Sequence, residues 1–296
     1  MHSKAWLWLV SPAILLPLAG LGEDASYQKE IDSWRVERET NLKKDGSWLT
    51  VAGLYWLREG ESSVGAASEN DFVLPEGTAP AFVGTFAYEA GKVSFRAHEG
   101  VTVVQKGKGE KPVSTANLEP GEKNAIALGN LSMWVHLSGP RLAIRLRDLE
   151  SPIRKEFTGL QWFPVDAAYR VTGKFTPHPE PKDVEILNML GDIERYQSPG
   201  VVDFVLQGQA IRMEPVLNSE GLLWFIFKDG TSGKETYPAA RFLQAGQPKD
   251  GSVVVDFNKA YNPPCAFNPY TTCPMPPKEN RLKVRVEAGE KYKKHS

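Results

Sequence analysis

The chain lacks most of the short motifs that announce a chemistry. It has no G-x-S-x-G nucleophile elbow. The run Gly60-Glu61-Ser62-Ser63-Val64-Gly65 has the wrong spacing and does not join a strand to a helix. It has no H-E-x-x-H and no phosphate-binding loop. The five histidines, His2, His98, His136, His178 and His295, stand at no ligand spacing to one another. The two cysteines, Cys265 and Cys273, have no histidine beside them and make a poor zinc half-site. A serine triad and a dedicated metal centre are therefore not expected, and neither is a cofactor. An excess of charge is missing too. With 35 basic and 36 acidic residues, a net charge of −1 and no basic block, nucleic acid is not an expected partner. After the first residues no apolar run approaches the ~20 residues of a spanning helix. No repeat is visible at a period of roughly 20 to 50 residues.

What is present begins with a leader. Lys4 gives a short basic start and Ala5 to Leu18 is an apolar run. Gly20 and Gly22 are small residues at the −3 and −1 places of a cleavage site before Glu23. This is the pattern of a secretory signal peptide over residues 1–22, so the chain is expected to be exported, periplasmic or extracellular, with no membrane span after cleavage. In that compartment two cysteines pair by default. The loop closed by Cys265 and Cys273 is short, so the pairing is expected to contribute ~2 to 3 kcal/mol at most. It suits fixing a local shape better than holding a fold.

Ser26 to Lys44 reads as the one good helix. Tyr27, Ile31 and Trp34 fall on one stripe, charges fill the other face, and Asp45-Gly46 ends it. Beyond it the pattern is strand and turn. Gly84–Ala97 is a hairpin around Glu89-Ala90-Gly91, and Leu131–Arg147 is a second, turning at Ser138-Gly139-Pro140. Tyr169–Thr176 is a short strand. Val201–Leu206, Ala210–Val216 and Leu222–Lys228 form a meander. Glu235–Leu243, Ser252–Asn258 and Arg281–Glu287 follow as strands. Short strands at this spacing predict an all-β chain, an antiparallel sandwich or barrel with the helix packed outside. A boundary at Asp148 to Gly159 would divide it into 23–148 and 149–296, the second part holding a Pro/Cys-rich loop at 261–277.

Three polar constellations stand out. In Arg141–Arg147 (RLAIRLR) Leu142, Ile144 and Leu146 share one strand face, while Arg141, Arg145 and Arg147 share the other, with Asp148 and Arg154 following. Such a face is either solvated with surface ion pairs or a wall that binds an anion, since Arg meets carboxylate and phosphate two-pronged. In Ser252–Asn258 (SVVVDFN), Asp256 and Asn258 interrupt an apolar strand. A polar group there needs hydrogen bonds or a wet cavity. Asp256 either caps the next turn, pairs with an arginine such as Arg170 or Arg241, or acts as a base or ligand acceptor. The third constellation is the loop itself. Asp256 to Pro277 (DFNKAYNPPCAFNPYTTCPMPP) holds six prolines, both cysteines and two Asn-Pro pairs, with Tyr261, Phe267 and Tyr270 as flat contacts. Prolines exclude a regular ladder there. The loop is either a plug over an open end of the fold or the rim of a site.

These residues carry a resemblance. Asp256–Pro277, with Asn280-Arg281-Leu282 and Ala288-Gly289-Glu290, closely resembles a widespread bacterial family known as domain of unknown function 1684. Trp48–Leu57 (WLTVAGLYWL), Arg147-Asp148, Trp162-Phe163-Pro164 and Thr236–Leu243 (TYPAARFL) match the same pattern, with Ala240 where the family pattern carries Gly. The resemblance covers nearly all of the chain beyond the leader and implies no chemistry. Separately, Gly65–Gly100, with Asn70–Pro75 (NDFVLP), is similar to the opening of forkhead-associated phosphopeptide-binding sandwiches. No Ser-x-x-His follows it, so that binding function does not carry over.

Three functional expectations result. The first is an exported binder of a small anionic or polyhydroxylated ligand, its pocket lined by Arg145, Arg147, Arg154, Arg241, Asp256, Asn258, Tyr261 and Asn262. The second is a metal-independent hydrolase or lyase, with Asp256 as base and Arg147 or Arg154 stabilising negative charge. The third is a structural or interaction domain of the cell envelope.

Overall fold

The computed structural model describes residues 19–107 and 109–293. The leader's apolar run, Ala5 to Leu18, lies outside the described residues. Helix α1 covers Ala19–Lys43. Its buried stripe includes Ile31 and Leu42, three and four residues from the half-buried Trp34 and Arg38 on the same side. Among the described residues no helix is long and apolar enough to cross a membrane.

After α1 the chain is mostly β, in sandwich-like sheets with no closed barrel among the described residues, broken by the short helix Pro152–Lys155 and a few 3-10 turns. The first lobe packs a six-stranded sheet on a five-stranded one. In the larger sheet Arg141–Asp148 lies between Val51–Trp56 and Leu131–Ser138, antiparallel to both. The smaller sheet is centred on the hairpin Gly84–Glu89/Lys92–Ala97. Its turn needs positive φ at both central residues, 48° at Ala90 and 79° at Gly91, as a two-residue hairpin of this hand requires. Alternation places Phe86, Phe95, Met133, Ile144 and Leu146 between the two sheets, all at most 1% exposed.

The second lobe has sheets of four, three and two strands. The expected strand Tyr169–Thr176 is far longer, Arg170–Leu187, and pairs with Ile193–Leu206. Pro177, Pro179 and Pro181 obscure it in the sequence. The register shifts between Pro177 and Lys182, a bulge that admits residues unable to donate to the ladder. Arg281–Glu287 forms no regular strand, which corrects the expectation from its alternation. Its polar backbone groups are met partly by the turn at 228–230, where Leu282 N donates to Lys228 O and Gly230 N to Val284 O, and partly by side chains. Arg241 donates to Val286 O and Ala288 O, and Asp229 accepts from Val286 N. Phe204, Phe225, Phe227, Val255 and Phe257 form the lobe's core. A smaller apolar cluster of Ile186, Val216, Ile226 and Phe242 lies under the Pro/Cys loop.

No strand ladder crosses the segment Asp148 to Gly159 among the described residues. Although α1 precedes the first lobe in sequence, it is docked on the second. Tyr27 donates to Asp256, Arg35 to Phe163 O and Arg38 to Glu290, and Trp34 meets Trp162 edge to face at 5.6 Å.

Candidate functional site

A cleft of about 1070 Å³ opens where α1, the strand Ile193–Leu206, the turn after Leu217 and the Pro/Cys loop converge. Each wall follows from its local sequence. From α1 come Trp34, Glu37, Arg38 and Asn41, one helical face. From the long strand come Glu194 and Tyr196, alternate residues and hence on one side of the sheet, with Arg195 and Gln197 at the rim. The Pro/Cys loop supplies Tyr261, Asn262, Phe267 and Thr271–Pro274. Trp48, 42% exposed, leans in from the start of the first lobe.

The floor is a chain of aromatic rings. Tyr196 meets Trp224 at 5.8 Å, Trp224 meets Phe242 at 4.8 Å, and Phe242 meets Tyr261 at 5.9 Å, all edge to face. Arg38 lies over the Tyr261 ring at 4.3 Å, a cation–π contact. Burial pushes the Tyr261 hydroxyl up to about 12, so it stays protonated at neutral pH. Tyr196 donates a short hydrogen bond, 2.5 Å, to Glu194, which also accepts from Asn188 at 3.0 Å.

Behind this wall sits Glu290, wholly buried. It accepts from Arg38 Nε at 2.8 Å and from Asn262 Nδ2 at 2.8 Å. Burial raises its carboxyl above the usual range, against the pull of Arg38. Gly289 makes the placement feasible. Its φ is 78°, and a Cβ there would stand 2.4 Å from Ala260 O. The sequence Ala288-Gly289-Glu290 thus lets the chain press against Ala260 and turn the carboxylate under Asn262. Among the described residues Asn262 Oδ1 and the indole nitrogen of Trp224 are buried without hydrogen-bond partners, although both residues line the cleft. Unpaired buried polar groups are uncommon and costly.

The residues singled out from sequence do not gather in one place. Tyr261 and Asn262 line the cleft, and Cys273 does so as half of the Cys265–Cys273 disulfide, whose Cα atoms are 6.2 Å apart. Arg145 lies just behind, with Nη2 3.4 Å from Thr272 Oγ1. Burial lowers its pKa to about 10, opposed by Glu194. Arg147 is elsewhere, bound to Thr50 Oγ1, Gly46 O and Glu122 and stacked on Trp134. Arg154 pairs with Asp45 at 2.8 Å beside a smaller cleft of about 470 Å³. Arg241 is fully buried against Asp229 at 2.8 Å and offers nothing to a ligand. Asp256 caps the short turn Phe257–Lys259, accepting from Asn258 N and from Tyr27, with Oδ2 unpartnered. Asn258 donates to Tyr27 and to Asp166 O. Asp256 therefore shares no contact with Arg147 or Arg154.

Of the arginine face of Arg141–Asp148, Arg141 and Arg145 meet the second lobe. Arg141 forms a two-pronged pair with Asp192, and Ser138 donates to the same carboxylate. The loop is both plug and rim. Asn268 donates to Trp48 O and Val51 O of the first lobe, while Phe267 before it and Thr271 after it line the cleft.

The residues sequence reasoning missed are Trp34, Arg38, Glu194, Tyr196, Trp224 and Glu290. Trp34 reads as core on a helical stripe. Glu290 stands inside Ala288-Gly289-Glu290, where a glycine beside an acidic residue was the available signal.

Comparison with known proteins agrees with the loop's resemblance. The family model described as "Protein of unknown function (DUF1684)" matches residues 155–291. The chain belongs to this family. A solution NMR structure of an uncharacterized protein of Haloarcula marismortui is 32% identical, over 47% of this chain and 78% of that one, with a TM-score of 0.40. The FhaA FHA domain, solved in complex with an intracellular domain, is 18% identical over 31% of this chain and 86% of that one, with a TM-score of 0.23. Among curated proteins none matches. The family segment supplies the sheet and loop walls of the cleft, while α1 and Trp48 come from outside it.

Proposed function

We propose that the protein is exported and binds a small polyhydroxylated ligand in the cleft beneath α1. The observation that carries this reading is the aromatic lining. Trp34, Trp48, Trp224 and Tyr261 come from separate segments and surround one opening of ligand-sized volume. Flat faces of this kind suit the apolar side of a sugar-like ring, while Asn41, Asn262 and Gln244 suit its hydroxyls. A hydroxyl both donates and accepts, which matches the unpartnered indole nitrogen of Trp224 and Oδ1 of Asn262. The leader pattern and the Cys265–Cys273 disulfide support export. The arginine face that suggests an anionic ligand is already engaged, Arg141 by Asp192, Arg145 behind Thr272 and Arg147 by Thr50 Oγ1 and Glu122.

Thermal shift against a panel of neutral oligosaccharides tests the reading. A ligand at a hundred times its dissociation constant stabilises by about 2.7 kcal/mol, a readily seen rise in Tm. We expect at least one hit, and its loss in Trp48→Ala, a change at an exposed ring that spares the core. A flat panel, or hits indifferent to Trp48→Ala, would favour a structural or interaction role.

A further inference from the structure

The cleft's cations are already engaged and two of its carboxylates are not. Arg38 is held by the buried Glu290 at 2.8 Å. Arg195 at the rim pairs with Glu185 at 3.0 Å. Arg145, behind Thr272, is offset by Glu194. Glu37 on α1 and Glu220 in the turn after Leu217 also line the cleft, both exposed, and neither has an ion-pair partner among the described residues. Aromatic faces rimmed by unpaired carboxylates attract cations twice over, through the ring quadrupoles and through net charge. Asn262, 2% exposed and with an unpartnered Oδ1, adds an acceptor and no positive charge to the same wall.

We infer that the ligand of this cleft carries a positive charge, as an amino-substituted polyhydroxylated molecule does, and that Glu37 and Glu220 select it over neutral and acidic counterparts. This rests on the binding reading above. It reverses the sign of ligand charge that the arginine-rich strand suggests when read as sequence alone.

The experiment uses three β-1,4-linked tetramers of one backbone, built of glucose, of glucosamine and of glucuronate. Binding to the full chain is followed by quenching of tryptophan fluorescence, since Trp34, Trp48 and Trp224 line the cleft. The glucosamine tetramer is expected to bind roughly tenfold tighter than the glucose tetramer at low salt, and the glucuronate tetramer weakest, with the spread shrinking at high salt. Glu37→Gln with Glu220→Gln should narrow the gap between the glucosamine and glucose tetramers. Both residues are exposed, so the variant folds. Equal or tighter binding of the glucose or glucuronate tetramer would overturn the charge selection and leave the cleft as a saccharide site. Silence from all three tetramers would overturn both.

Discussion

Both lobes of this chain bury about the same kinds of aromatic and branched side chains, but they hold their backbones differently. In the first lobe Phe86, Phe95, Met133 and Ile144 alternate with outward residues along regular hairpins, and ladders satisfy most of the backbone. Its arginines Arg145 and Arg147 sit on the strand face opposite that core. In the second lobe Arg241, Asp229, Glu290, Asn262 and Asn280 are all nearly inaccessible, and their side chains take over bonds that strands would otherwise make. Asn280, for example, donates to Glu214 O and Ile226 O and accepts from Glu214 N. A side chain that replaces a ladder frees the backbone to run irregularly. The cleft is found where that happens.

The contrast is sharpest for two ion pairs of similar length, 2.8 Å for Arg241–Asp229 and 2.7 Å for Arg141–Asp192. Arg241 and Asp229 are both 0% exposed, whereas Arg141, 45% exposed, meets Asp192 at the lobe junction. Arg241→Met leaves Asp229 as an unpaired buried charge and strips donors from Val286 O and Ala288 O. It is expected to cost about 3 to 5 kcal/mol, as breaking a buried pair does. Arg141→Met should cost ~1 kcal/mol or less. Urea unfolding of the two variants decides it. Equal losses would mean that the second lobe does not depend on its buried charges.

The same contrast explains what was legible. Period-two alternation marks strands whose two faces differ in environment, so both first-lobe hairpins were readable to within a residue or two. In the second lobe three prolines hid the strand Arg170–Leu187, because a bulge tolerates what a regular ladder excludes. Arg281–Glu287 alternates like a strand, yet Arg241 and Asp229 satisfy part of its backbone from the side. The candidate site was harder still. Tyr261 and Asn262 were visible because the loop around them is so unusual in composition. Trp34, Trp224 and Glu194 belong to elements distant in sequence, and nothing local says that they meet. Arg147 and Asp256 attracted attention as polar residues on apolar strands, but each had a nearby structural partner that sequence does not reveal.

A second, smaller effect is expected where the lobes join. Asn268 donates to two first-lobe carbonyls, Trp48 O at 3.0 Å and Val51 O. Asn268→Ala leaves both without their donor and should cost about 1 to 3 kcal/mol. The loss should be accompanied by altered Trp48 emission, since the loop would no longer fix that turn. A stability loss with unchanged emission would show that the loop supports the second lobe alone, and the lobes would then be more independent than the contacts imply.

The smallest effect concerns acid. His136 faces the junction, 3.1 Å from Thr272 Oγ1, and burial followed by the nearby Arg145 lowers its pKa from 6.5 to about 4. The unfolded chain therefore takes up a proton near pH 6.5 that the folded ring refuses until about pH 4. Stability from this group is intact above pH 6.5 and declines as the pH falls toward 4. Arg145, close to the ring, repels the proton. His136→Gln keeps a hydrogen-bonding side chain and removes the titration. Tm followed from neutral pH to about pH 4.5 should therefore fall less steeply in the variant than in the parent chain. Parallel curves would mean that the ring gains its proton without loss, and hence that water enters the junction freely. The two lobes would then be touching surfaces rather than one packed seam.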